Sequence, residues 1–108
     1  MKIEDNLKIV KLIDTYGTLL TTKQFEVMTS YYFDNLSLSE IGDNYNISRQ
    51  AVSDCISQSI KSLEQYEDKL GLINKENNII DHLNYIINNC DNSSIVDKAN
   101  DIIRILRG

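Results

Sequence analysis

The chain has 108 residues, 42% of them apolar and 25% charged, no proline, and a formal net charge of −5. That composition belongs to an ordinary soluble globular protein, large enough for one core but not for two. No run approaches the ~20 apolar residues of a membrane span, and the acidic balance argues against tight, sequence-independent binding to duplex DNA, which depends on Lys and Arg displacing counterions.

With helical periodicity throughout, the chain reads as all-α. The opening Met1-Lys2-Ile3-Glu4-Asp5 lacks an apolar signal core, which implies a cytoplasmic protein. Leu7, Val10, Ile13 and Tyr16 mark one face of a first helix, with Gly17 expected as its left-handed C-terminal cap. Thr21-Thr22-Lys23-Gln24 is a capping box that opens a second helix, with Phe25, Met28, Tyr31 and Tyr32 facing inward. Ser37-Leu38-Ser39-Glu40 is another, opening a short helix that carries Leu38, Ile41, Gly42 and Tyr45.

Ser48 then caps a much longer helix. Val52, Cys55 or Ile56, Ile60 and Leu63 recur along it at three and four, Tyr66 and Leu70 continue the stripe, and Gly71 stops it. A fifth helix spans roughly residues 75–89, and a turn at Cys90-Asp91-Asn92-Ser93-Ser94 leads to a last one. Their apolar residues include Ile79, Ile80, Leu83, Ile86, Ile87, Ile95, Val96, Ala99, Ile102, Ile103 and Leu106. Adjacent isoleucines spread this surface wider than one core-facing stripe needs, which suggests a symmetric homodimer. The whole reads as one helical domain, 1–108, made of a helix-turn-helix part (1–72) and a C-terminal extension (73–108). The asparagine-rich stretch between residues 74 and 92 is put down to an AT-biased genome.

Catalytic chemistry has little to stand on. Cys55 and Cys90 lack a neighbouring Cys or His at metal-ligand spacing, and His82 has no nucleophile or paired acid in register. No Gly-rich phosphate loop, Ser-centred elbow or zinc spacing is present. The reading is a non-enzyme with no metal and no cofactor.

Residues 37–56 meet the demands of a helix-turn-helix together. Gly42 supplies the small residue where the second helix passes over the first. Ile41, Tyr45, Ile47 and Val52 close the wedge, and Asn46 tolerates left-handed backbone at the turn. The start of the second helix would face a groove, exposing Ser48, Arg49, Gln50, Ser53, Asp54 and Ser57. Arg49 can pair with guanine and Gln50 with adenine, each good pair contributing about 1–3 kcal/mol of discrimination. The same residues also suit a merely solvated face. Residues 37–71 hold six acids against three bases, and Arg49 is the lone base of the motif.

The stretches 19–38 and 36–72 resemble the YlxM family, most specifically in Ser48-Arg49-Gln50-Ala51-Val52, Tyr66-Glu67 and Lys69-Leu70-Gly71-Leu72. The resemblance implies a helix-turn-helix similar to the promoter-reading fourth region of sigma factors, with no enzymatic activity. Genes of that family lie beside those for the signal recognition particle protein and its receptor. The resemblance therefore implies an accessory or regulatory role in co-translational targeting, with the particle's protein or RNA as partner. More basic character is expected in the family at positions 53–61 than Ser-Asp-Cys-Ile-Ser-Gln-Ser-Ile-Lys provides. The long helix has a second half available to the C-terminal helices or to a second subunit. A DNA-binding transcriptional regulator and a pure interaction module with a vestigial motif stand as alternatives.

Overall fold

A computed structural model describes the backbone of residues 3–108 and the side chains from Asn6 onward. The N-terminal reading of Met1 to Asp5 lies outside those described side chains. Among the described residues there are six α-helices, one short 3-10 turn and no strand. The helices are α1 (Ile3–Tyr16), α2 (Thr22–Tyr32), α3 (Leu38–Tyr45), α4 (Arg49–Leu70), α5 (Leu72–Asn89) and α6 (Ser93–Arg107). The chain divides into two compact units, one ending at Gly71 and the other running from Leu72 to Gly108.

In the first unit α4 is the common partner, packing against α1, α2 and α3. Its core is made of Ile9, Leu12, Ile13, Tyr16, Leu20, Val27, Met28, Ile41, Val52, Ile56 and Leu63. Both anticipated capping boxes form. Thr21 accepts from the Gln24 amide at 3.2 Å while Gln24 accepts from the Thr21 amide at 3.1 Å. Ser37 and Glu40 repeat the exchange, at 3.1 Å in each direction. Each box satisfies two amides that a helix start otherwise leaves without a partner.

The inward faces differ in detail from the spacing. Leu7 is 65% exposed, whereas Ile9 and Leu12 are buried. Two overlapping stripes run along α1, and the one that includes Ile9 and Leu12 is buried. Gly17 is not a left-handed cap; it begins the 3-10 turn Gly17–Leu19, and it is small because a Cβ there would meet the Phe25 ring at 2.9 Å. Phe25 itself is exposed at its rim, and Val27 takes the core position beside Met28. On α4, Ile56 rather than Cys55 is buried, Leu70 is exposed, and Ser59 is wholly buried. Ser59 survives there because its hydroxyl donates to the Cys55 carbonyl at 2.7 Å, so no polar group is stranded.

The second half of α4 is anchored within the first unit. Tyr16 donates its hydroxyl to Glu67 Oε1 at 2.5 Å, and the Tyr16 and Tyr66 rings lie 6.1 Å apart. A charge-assisted bond to a buried tyrosine outweighs an ordinary neutral one. Gly71 ends α4 in the left-handed conformation with φ 63°, as its position implies. Helix α5 then begins at once, at Leu72 rather than near Lys75. In the second unit α5 packs on α6, burying Ile80, Leu83 and Ala99. Asn92 caps α6, accepting from the Ser94 and Ile95 amides. Ile79, Ile86, Ile95 and Ile102 remain more than a third exposed.

The motif turn is the tightest point of the fold. Asn46 adopts φ 55° and ends α3, and the Ile47 amide returns to the Gly42 carbonyl at 3.0 Å. A Cβ on Gly42 would lie 2.7 Å from the Ile47 carbonyl oxygen and 3.6 Å from the Arg49 amide nitrogen. Gly42→Ala gains about 1 kcal/mol of helix propensity, yet the overlap is with backbone that cannot rotate away. The expected net effect is a loss of about 1–3 kcal/mol in denaturant unfolding. An unchanged or higher melting temperature would show that the turn does not close on Gly42.

Candidate nucleic-acid interface

The site starts from Ser48, whose extended backbone and side chain begin α4 by accepting from the Ala51 amide at 3.0 Å. That bond occupies one lone pair of the hydroxyl and fixes the direction in which α4 leaves the turn. Arg49 and Gln50 follow as the first two helical residues, and both are exposed. Arg49 and Gln50 line an open depression together with Leu38 and Ser53. Ser53 is half-buried, deeper than the spacing suggests, while Ser57 is exposed one turn on. Ser53 and Ser57 also line a neighbouring groove walled by Tyr31, Tyr32 and Leu38.

Gln50 is not free to read an edge. Its Nε2 donates to Asp54 Oδ1 at 2.9 Å, an i,i+4 pair across one turn. Before Gln50 can make a paired contact with adenine it must leave that carboxylate, which would then stand uncompensated beside the groove. The pairing was legible in the spacing of the two residues. Arg49 is thus the one cation on the motif's exposed face, with Asp43 and Asp54, both exposed, on the helices that flank it.

The tyrosines that the spacing assigns to the core sit instead at its edge. Tyr31 and Tyr32 are half-buried and meet edge to face, their centroids 5.0 Å apart and their planes at 80°. Partial burial, and next to it the neighbouring Tyr31, push the Tyr32 phenol above its ordinary value. Among the described residues no group of three or more His, Cys, Asp or Glu is placed to hold a metal ion. Among the described residues no helix is long and apolar enough to cross a membrane.

Residues 3–103 match the family described as "Putative helix-turn-helix protein, YlxM / p13 like", UPF0122. The chain belongs to that family. A UPF0122 protein of Malacoplasma penetrans is 45% identical over 95 residues, covering 77% of this chain and 89% of the relative. One from Clostridium perfringens is 51% identical over 73 residues, covering 68% of this chain and 65% of the relative. One from Bacillus licheniformis is 48% identical over 75 residues, covering 69% and 70%. Membership of this helix-turn-helix family agrees with the all-α fold and with the capped α3–turn–α4 geometry.

A groove-reader of this fold ordinarily draws its affinity from phosphate contacts, and this member has few cations to make them. Its observed association constant for a generic duplex is expected to fall only gently with salt, as for about three phosphate contacts or fewer. A slope of logarithmic affinity against logarithmic salt that implies about six or more contacts would contradict this.

Proposed function

We propose that this UPF0122 member is a cytoplasmic accessory or regulatory protein of the signal recognition particle pathway. In this reading its sigma-like helix-turn-helix works inside a larger assembly rather than alone on DNA. The observation that carries the reading is charge on an intact motif: residues 37–71 are net acidic, and Arg49 is the only base between Gln24 and Lys61. A partner that supplies basic surface removes the electrostatic cost of bringing such a face to nucleic acid. The targeting particle, an RNA bound to a basic protein, is such a partner, and the resemblance to YlxM points the same way. Arg49 and Gln50 make the polar contacts, Ser48, Ser53 and Ser57 border them, and no catalysis or cofactor is involved.

A homodimer belongs to the same proposal. The second unit is smaller than the ~40 residues below which a domain seldom stands on its own core. It leaves Ile79, Ile86, Ile95, Ile102 and Ile105 exposed and is nearly balanced in charge. A second copy can cover these side chains with little repulsion. Sedimentation at tens of micromolar is expected to give a dimer; a monomer would remove this part of the proposal.

The runner-up is a DNA-binding transcriptional regulator, favoured by the adjacent exposure of Arg49 and Gln50 at the start of α4. The two separate cleanly by titration. The protein is expected to bind the particle's RNA–protein complex more tightly than the naked RNA. Arg49→Ala with Gln50→Ala should weaken that binding while leaving thermal stability within about 0.5 kcal/mol, as for exposed substitutions. Equal binding by the double variant would remove the motif face from the contact. Undetectable binding to the particle, its protein and its receptor, alongside specific retention of a promoter fragment, would put the regulator first.

A further inference from the structure

A second pocket lies beside the motif. Asn6 of α1, Tyr31 and Tyr32 of α2, and Asn35, Ser37 and Glu40 at the entry to α3 line it. Among the described residues that line it, the one charged group, Glu40, is acidic. Glu40 uses Oε1 to accept from the Ser37 amide at 3.1 Å, and Oε2 has no protein partner among the described residues. The capping box already occupies the Ser37 and Glu40 amides, so neither is available to an anion. Side-chain amide oxygens of Asn6 and Asn35 add neutral acceptors. From residue 24 to residue 48 the chain contains Glu26, Asp34, Glu40 and Asp43 and neither a lysine nor an arginine.

Aromatic rings, acceptors and a carboxylate as the one charged group of the described lining together select a flat cation. Tyr31 and Tyr32 line the pocket as an edge-to-face pair, and the negative face of an aromatic ring attracts a cation such as a guanidinium. A guanidinium is planar, weakly hydrated and rich in donors arranged as a fork, which matches a carboxylate set beside aromatic rings. A lysine ammonium is a compact, strongly hydrated charge and fits such a site less well. A phosphate-bearing ligand is repelled. We propose that this pocket holds the arginine side chain of a basic segment of a partner protein, clamped between the Tyr31–Tyr32 pair and Glu40. Arg49 is not in its lining, although Tyr31 and Tyr32 also border the groove of Ser53 and Ser57; any arginine-bearing partner satisfies the pocket, so it stands whether or not that partner belongs to the targeting particle.

Two labelled peptides of equal length and charge, one carrying arginines and the other lysines at the same positions, test this by fluorescence anisotropy on the full chain. The arginine peptide is expected to bind about two- to fivefold more tightly. Glu40→Gln removes the charge but keeps the capping box, because glutamine accepts from the Ser37 amide equally well. It should weaken the arginine peptide by about two- to fivefold while the protein stays folded, with only the small drop in melting temperature that loss of the carboxylate's interaction with the helix dipole brings. Tyr31→Leu should abolish the preference for arginine over lysine. Glu64→Gln, which removes a charge from the exposed surface of α4 outside the pocket, should retain that preference. Equal binding of the two peptides by wild type would overturn the proposal, as would Glu40→Gln behaving like Glu64→Gln. A single-stranded oligonucleotide that competes with the peptide and loses binding in Tyr31→Leu would assign the pocket to nucleic acid instead.

Discussion

The close approach of Gly42 to the Ile47 carbonyl is the constraint on which the first unit depends. With 2.7 Å between that oxygen and any Cβ, only glycine lets α3 end, turn through Asn46 and restart as α4 within three residues. Once the turn is closed, Ser48 fixes the exit of α4, and α4 in turn provides the surface against which α1, α2 and α3 pack. The hydrogen bond from Tyr16 to Glu67 then secures the far half of the same helix. One long helix therefore serves two purposes. Its first turn presents Arg49 and Gln50, and its middle, through Val52, Ile56 and Leu63, holds the core together.

Rigid presentation of this kind is what groove reading requires, and charge is what it lacks here. The i,i+4 bond from Gln50 to Asp54 ties the better-placed amide to a carboxylate. The Glu40 that closes a capping box at the start of α3 also contributes a charge to the pocket beside Tyr31 and Tyr32. Local stability and local acidity are thus products of the same side chains. A capping glutamate favours the start of a helix through its hydrogen bond and its interaction with the helix dipole. At the same time it makes the surface a poorer host for phosphate and a better one for a cationic protein.

Much of this was legible in the sequence because it is local. Both capping boxes, the left-handed Asn46 and Gly71, and the small residue at position 42 follow from backbone rules that act within four or five residues. What the sequence concealed depends on tertiary approach. Two apolar stripes compete on α1, and only tertiary packing decides that Ile9 and Leu12 prevail over Leu7. Gly17 looks like a cap, but its size is set by the Phe25 ring, eight positions away. Ser59 carries no hydrophobic signal, although it is buried as deeply as Val52. Of the candidate interface residues, Arg49, Gln50 and Ser57 lie exposed as their helical positions imply. The partial burial of Ser53 and the pocket walled by the two tyrosines arise only when α2 and α4 come together.

The central claim is that the helix-turn-helix geometry is intact and that charge alone keeps this domain from holding duplex DNA unaided. Binding of a generic duplex by wild type and by a double variant, Asp43→Lys with Asp54→Lys, at one fixed low salt concentration tests it most directly. Both positions are exposed, so the variant is expected to fold as the wild type does. Four units of charge are gained next to Arg49, and the variant should reach the ~10⁻⁴–10⁻⁶ M range of non-specific DNA binders while wild type stays weaker. Equal affinity of the two proteins would contradict the account, because the motif face would then not be where the chain meets nucleic acid.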